Sequence, residues 1–299
     1  MIYLRKFENH TKYEEARQNL ILPNVSLCAQ DNEVHYNPKK AKKAKLYDYL
    51  YSDLTFGSEV KDGIIGVCVI GGGILPDGKA RFMSIKGMSP SNPNEGGENY
   101  YIYWGGLLTK AFLNNFNKVV TGETSASGSN DNGYLPKNGT YSSSTPYIPS
   151  PIDYFDAYSD TVVTTANSLS DFDGKGNTEV LTSLATAQSD WKTANTIANE
   201  SGTGYYPAAC VCWRFIPGNT NQGDWYLPAM GELGFVIVNF DEINNKISAA
   251  SGIQLNGMGY CWSSTENDSG SAWSLYTSNG YVTNDYKGSY HYVRAFLAL

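Results

Sequence analysis

Charge, histidine and long apolar runs are all scarce in this sequence. Charged residues make up 17% of its 299 positions and the formal net charge is −7. An acidic balance excludes a nucleic-acid surface as the default reading, because phosphate contacts need basic groups. The basic run Lys39, Lys40, Lys42, Lys43 and Lys45 reads as the solvated face of a linker. No apolar stretch approaches the length of a membrane span, so no membrane insertion is expected. Residues 1–8 (M-I-Y-L-R-K-F-E) have neither an apolar h-region nor a small-residue cleavage site, so export by a standard signal is not expected.

Catalytic patterns are lacking too. The three histidines, His10, His35 and His291, stand in unrelated contexts. No G-x-S-x-G, H-E-x-x-H, Walker or Rossmann pattern occurs. Gly71-Gly72-Gly73 leads into a hairpin and lacks the Lys-Ser/Thr ending of a phosphate loop, so it reads as a tight bend. The five cysteines, Cys28, Cys68, Cys210, Cys212 and Cys261, are odd in number and match no metal spacing. They are expected as free, mostly buried thiols. No histidine or cation is placed by sequence to activate Cys261 as a nucleophile. Residues 171–177 (D-F-D-G-K-G-N) lack the third acid and the terminal Glu of a calcium loop and read as an Asp/Gly turn. No catalytic residue, metal or cofactor is therefore assigned.

What is present is a folded, loop-rich α+β chain. Hydrophobic residues reach 41% and aromatics 13%, with 23 tyrosines, enough for a full core. Residues 1–55 read as a separate N-terminal attachment or leader region, with a capping box at Thr11-Lys12-Tyr13-Glu14 opening a short helix. Strands are expected at 23–28 and 32–38. From 56 onward, residues 63–70 form a continuous apolar run, read as a buried strand. Pro76-Asp77-Gly78 is a turn, and residues 80–85 return as the paired strand. Residues 86–100 and 121–152 read as loop insertions, with a short helix near 107–116. Amphipathic helices are predicted at 189–199 and 229–250, with a strand over 206–216 between them.

The last forty residues carry the most information. Residues 260–299 hold six Tyr and seven Ser among Asn, Asp, Thr and Gly, punctuated by Trp262, Trp273, Leu275, Val282, Val293 and Phe296. Tyrosine supplies rigid amphipathic contact area, while Ser, Gly and Asn supply adaptable hydrogen bonding, as in antibody paratopes. The stretch reads as a displayed binding face.

Trp225-Tyr226-Leu227-Pro228, then Gly231-Glu232-Leu233 on a helix, then Trp262-Ser263-Ser264-Thr265-Glu266, Ala272-Trp273 and Val293-Arg294-Ala295-Phe296 carry a family likeness. In this order they resemble the C-terminal domain of the variable proteins of diversity-generating retroelements. The matching order covers about 160–299, and the hairpin at 66–85 extends it to about 56. Residues 23–28 and 32–38 also resemble the leader of proteins from phages and prophages of gut Bacteroidales. The resemblance implies a C-type-lectin-like fold of the variant shared with formylglycine-generating enzymes: two helices, short antiparallel strands and long loops over 56–299. The Glu-Pro-Asn, Gln-Pro-Asp and Trp-Asn-Asp triplets of sugar-binding lectins are missing, so a calcium-dependent sugar site is not implied.

In that family a template repeat is copied with random substitution at adenines, mostly in AAY codons. Such codons cannot yield Trp, Glu, Lys, Met or Gln, so Trp262, Glu266, Trp273 and Lys287 would be invariant. The replaceable, ligand-binding positions implied are Tyr260, Cys261, Asp268, Gly270, Ser271, Ser274, Tyr276, Ser278, Tyr281, Thr283, Asn284, Asp285, Tyr286, Gly288, Ser289, Tyr290 and His291. Trp225, Leu233, Trp262, Glu266, Trp273, Val293, Arg294 and Phe296 would be scaffold, with Glu266 and Arg294 as a candidate pair. Tyr276, Tyr281, Tyr286 and Tyr290 would be exposed anchors. The function implied is ligand binding by a receptor-binding or adhesin protein in a virion tail or fibre. Its ligand would be a protein or glycan on a bacterial surface. The alternatives are a bacterial cell-surface adhesin and an enzyme of the formylglycine-generating type, though the paired active cysteines of the latter are not evident. Homo-oligomerisation would suit a fibre, but no heptad run supports it.

Overall fold

The computed structural model describes residues 43–89, 95–97, 100–105, 127–128, 133–134, 162–163, 168–169, 171–185, 206–267 and 270–299. The expected elements at 11–22, 23–28, 32–38, 107–116 and 189–199, most of the 121–152 insertion, Cys28 and Asp268 lie outside the described residues. The compact unit runs from Lys43 to Leu299. It starts ahead of the boundary at 56 because β1 (Tyr49–Tyr51) pairs with both β2 (Phe56–Gly57) and β3 (Ile64–Ile70).

The apolar run of β3 is the centre of an antiparallel six-stranded sheet. Its order is β2-β1-β3-β4-β14-β9, with β4 at Arg81–Ser84, β14 at Phe296–Ala298 and β9 at Trp225–Tyr226. Such a run is continuous because both faces are covered. Val67, Val69, Tyr49, Met83, Phe296 and Tyr226 point to one core; Cys68, Leu50, Phe82, Leu297 and Trp225 point to the other. Successive residues therefore alternate between two helical layers. The first core is closed by α3 (Met230–Val238) and α4 (Phe240–Ala249), the second by α2 (Pro207–Arg214) and Leu181 of α1 (Gly174–Leu184).

Three helical features depart from the sequence reading. Where a strand is expected over 206–216, Pro207–Arg214 is helical: Pro207 takes the first helical turn, where its missing N–H is harmless. Residues 207–212 are buried throughout, so the apolar run has no polar face to reveal its period. The 171–177 turn is instead the start of α1, with the Asp173 carboxylate accepting the Gly176 amide at 3.0 Å. The single helix over 229–250 is two. The Asn239 amide donates to the Phe235 carbonyl at 2.8 Å and its oxygen accepts from Tyr47 at 2.9 Å, a side-chain competition that ends α3.

The second sheet has the order β10-β11-β12-β7, from Tyr260–Glu266, Ser271–Tyr276, Tyr281–Tyr286 and Gly133–Tyr134. The 121–152 insertion thus supplies one of its strands. A ribbon of β13 (Tyr290–His291) and β5 (Ile102–Tyr103) abuts β10, where Cys261 bridges Tyr292 in parallel. β6 (Ser127–Gly128) and β8 (Val162–Val163) form a parallel pair. The 86–100 excursion is pinched by a two-way bridge between Gly87 and Gly97, 3.0 Å in each direction.

Candidate ligand-binding face

Register decides which C-terminal residues stand together. Tyr260 opposes Tyr276, which opposes Tyr281; Trp262 opposes Ser274, which opposes Thr283; Ala272 opposes Asp285. Opposed residues share a face. The other face carries Cys261, Trp273, Leu275 and Val282 into the core under α3 and α4.

Accessibility divides the sixteen candidate positions that the structure describes. Tyr286 and Tyr290 are 53% and 44% exposed, and Ser278 is also exposed. Tyr260, Gly270, Ser271, Tyr276, Tyr281, Asn284, Asp285, Gly288 and Ser289 are half-buried. Tyr276 and Tyr281 are thus less open than free-standing anchors, since the Tyr260 ring lies 4.8 Å from that of Tyr276. Cys261, Ser274, Thr283 and His291 are buried. Ser274 donates to the Thr283 carbonyl at 3.4 Å and Thr283 to that of Asn284 at 3.0 Å, so these hydroxyls serve the sheet. Burial pushes the Cys261 thiol up to about 12, which keeps the sulfur protonated and unreactive. The other described cysteines, Cys68, Cys210 and Cys212, are buried and form no disulfide.

Asp285 organises the turn that displays the exposed tyrosines. One carboxylate oxygen accepts from the Tyr286 amide at 2.8 Å and the Ser289 hydroxyl at 3.3 Å; the other meets His291 Nε2 at 2.8 Å. Burial pushes this carboxyl up, but the His291 hydrogen bond and charge, with the Tyr286 and Ser289 donors, outweigh it. The group is held below the ordinary carboxylate range. The His291 ring is packed between Tyr260 and Trp262, with centroids at 5.0 and 4.1 Å.

The scaffold residues Trp225, Leu233, Trp262, Glu266, Trp273, Val293, Arg294 and Phe296 are all buried. Glu266 and Arg294 do not pair. Glu266 instead takes Lys287, whose Nζ also lies 4.7 Å from the Trp104 ring. The Arg294 guanidinium donates to the carbonyls of Ser84, Ile253 and Gln254. Its deep burial pulls it down to about 10.

The sequence reading missed residues 100–104 (Y-Y-I-Y-W). Trp262 Nε1 donates to the Ile102 carbonyl at 2.9 Å, and Trp104 Nε1 donates to the Ser263 carbonyl at 2.8 Å. These reciprocal bonds fasten β5 to β10. They set Tyr103 against Tyr290 and Tyr101 against Tyr292, with ring centroids 3.9 and 4.4 Å apart. Tyr100 and Tyr101 are 44% and 55% exposed. The run of three tyrosines in four residues at 100–103 was the available signal.

A separate polar cavity of about 310 Å³ lies between α1 and β4, lined by Asp77, Lys79, Arg81, Lys175, Glu179 and Glu232 among others. At its base Glu232 accepts from Arg81 Nε at 2.7 Å, Tyr226 Oη at 2.9 Å and the Ala229 amide at 2.9 Å. Arg81 also donates to Asp77 at 2.8 Å, so Asp77, Arg81, Tyr226 and Glu232 form one bonded cluster.

Neither a family model nor a curated protein matches the chain. It is similar in structure to a fimbrial protein from Bacteroides ovatus ATCC 8483. That similarity has a TM-score of 0.38 and 14% identity, covering 85% of this chain and 49% of the other. The chain thus spans about half the length of that structure. Among the described residues no group of His, Cys, Asp or Glu is placed to hold a metal ion, and no helix is long and apolar enough to cross a membrane.

Proposed function

We propose that this protein is a ligand-binding variable protein with a C-type-lectin-like domain, whose C-terminal segment is a replaceable binding surface. One observation carries this reading. Within 260–292 the residue types that adenine-directed substitution of AAY codons cannot produce are Trp262, Glu266, Trp273 and Lys287, and all four are between 0% and 3% exposed. The exposed described positions, Ser278, Asn279, Tyr286 and Tyr290, are types that it can produce. A division between a fixed interior and a replaceable exterior would allow many surfaces on one fold. The role that fits is a receptor-binding or adhesin protein, carried by a virion or a cell surface, with a protein or glycan of a bacterial surface as its ligand.

The test is deep sequencing of the 3′ end of the gene across a population. Substitutions concentrated at the accessible positions, with Trp262, Glu266, Trp273 and Lys287 constant, are expected. Variation spread evenly over 260–299, or none, would overturn the reading. A reverse-transcriptase gene beside a near-copy of the coding end is the accompanying expectation. Phage structural genes around the locus would favour the virion, and export or pilus genes the cell surface.

A further inference from the structure

The turn between β12 and β13 is built around one imidazole. His291 is 6% exposed, and both of its ring nitrogens meet oxygen. Nδ1 lies 2.6 Å from the Tyr290 carbonyl and Nε2 lies 2.8 Å from Asp285 Oδ2. A carbonyl oxygen only accepts, and so does a carboxylate held below its ordinary range, as Asp285 is. A neutral imidazole has one N–H and one bare lone pair, whereas the imidazolium has two N–H donors. These contacts call for two donors, which the imidazolium alone supplies.

The surroundings of the ring agree. Its centroid lies 5.0 Å from that of Tyr260 and 4.1 Å from that of Trp262, both in β10, with planes inclined by 29° and 39°. Aromatic faces within about 6 Å favour a cation. Ile102 opposes His291 from β5 and adds no charge. Asp285 of β12 is the charged partner bonded to the ring, and the Tyr260 phenol is the other titratable side chain packed on it. The two basic residues of the C-terminal segment are engaged elsewhere: Lys287 by Glu266, and Arg294 by the carbonyls of Ser84, Ile253 and Gln254.

Loss of one ring proton has two outcomes, and each reaches an exposed tyrosine. If the neutral ring keeps its proton on Nε2, the bare Nδ1 faces the Tyr290 carbonyl, lone pair against lone pair. The main chain of Tyr290 must then move. If the ring keeps its proton on Nδ1, the bare Nε2 repels the Asp285 carboxylate. As Asp285 swings away, its other oxygen gives up the Tyr286 amide and the Ser289 hydroxyl. The middle of the turn stays fixed, because Lys287 is tied to Glu266 and its amide donates to the Gly270 carbonyl at 2.9 Å. Movement is confined to the two flanks that carry Tyr286 and Tyr290.

We infer that this form of the turn belongs to the imidazolium state of His291, and that a ligand held by Tyr286 and Tyr290 in this form binds in linkage with that proton. Such a ligand binds more weakly as pH rises and the ring proton leaves. Asp285 and His291 act as positioning residues beneath the contact tyrosines. The inference rests on the reading of the C-terminal segment as a binding surface where it assigns Tyr286 and Tyr290 to ligand.

The test is an NMR titration of the full chain, with ¹⁵N-labelled histidine and ring-¹³C-labelled tyrosine, from about pH 5 to about pH 9, the span around the ordinary histidine range. His291→Gln identifies the His291 signals. Expected at the acidic end are the ¹⁵N shifts of a doubly protonated His291 ring. The Tyr286 and Tyr290 ring signals should then step with the midpoint of the His291 titration. Asp285→Asn removes the charge but keeps an oxygen at the site. It should weaken proton binding at His291 roughly tenfold and carry the tyrosine step to the same lower pH. Tyrosine signals that stay level across the whole span, or a His291 ring with one protonated nitrogen throughout, would overturn the inference. So would a tyrosine step that does not follow His291 in Asp285→Asn. The wild-type titration decides alone if Asp285→Asn does not fold. None of these results alters the population-sequencing test, so failure here and failure of the variable-surface reading are told apart.

Discussion

Lys287 Nζ lies 2.5 Å from Glu266 Oε1, with both side chains buried. The pair ties the turn after β12 to the end of β10 and so closes the C-terminal sheet beneath the exposed tyrosines. Removing one partner strands a buried charge. Lys287→Ala or Glu266→Ala should each cost about 3–5 kcal/mol in urea unfolding, whereas Lys287→Met/Glu266→Leu together should cost much less. A loss in the double variant equal to the sum of the two single losses would show that the two charges are not coupled.

Asp171 makes stability depend on acid. Its carboxyl is pushed up to about 6 by burial, against the opposing bonds from Thr265, the Asp173 amide and Asn177. A group raised in the folded state binds its proton more tightly there than in the unfolded chain. Its favourable contribution is complete below the unfolded value of about 4 and is lost as pH rises through about 6. The difference corresponds to an upper bound of about 3 kcal/mol. Asp171→Asn should flatten the fall in stability between pH 4 and 6, measured by urea midpoints, even though it weakens the fold at every pH. An unchanged slope would place the titration elsewhere.

Truncations should separate face from frame. Tyr286→Ala and Ser278→Ala should change stability by no more than about 0.5 kcal/mol. Trp273→Ala, at the same sheet but turned inward, should cost about 3–5 kcal/mol. Loss of cooperative melting in Tyr286→Ala would mean that this ring belongs to the core.

Gly288 and Tyr286 should not act independently. A Cβ at 288 would overlap the Tyr286 ring. Gly288→Ala should therefore displace the ring, seen as loss of the nuclear Overhauser contacts between the Tyr286 ring and the 288 Hα. Unchanged contacts would show that the turn absorbs the methyl group.

Trp104 should govern how β5 is held on β10. Trp104→Phe removes the donor to the Ser263 carbonyl while keeping an aromatic ring near Lys287. Faster amide exchange at Ile102 and Tyr103, with β3 unaffected, is expected; protection unchanged at these amides would remove Trp104 from that role.

Local chemistry made some of this structure legible from residues alone. The β3 apolar run and the Pro76-Asp77-Gly78 turn before β4 mark a hairpin wherever they occur, because burial and turn preferences act over a few residues. The isolated tryptophans Trp262 and Trp273 likewise marked buried positions within 260–299. Other features were not legible because competing states look the same locally. The 207–212 run is apolar in every direction, so helix and strand periods coincide, and packing into the second core decided for a helix. Asn239 breaks a helix that periodicity would continue because a distant Tyr47 and a local carbonyl engage its side chain.

The sequence by itself determined which residue types stand in 260–299: tyrosine, serine and asparagine among isolated tryptophans. Tertiary structure alone decided which of them reach solvent. Cross-strand register buries Cys261, Ser274, Thr283 and His291, pairs Glu266 with Lys287 instead of Arg294, and brings Tyr101 and Tyr103 beside Tyr290 and Tyr292. Register and pairing depend on contacts between residues more than 150 positions apart, such as Trp104 with Ser263 and Trp262 with Ile102. A linear pattern with a period of two or 3.6 residues carries no information about these distant contacts.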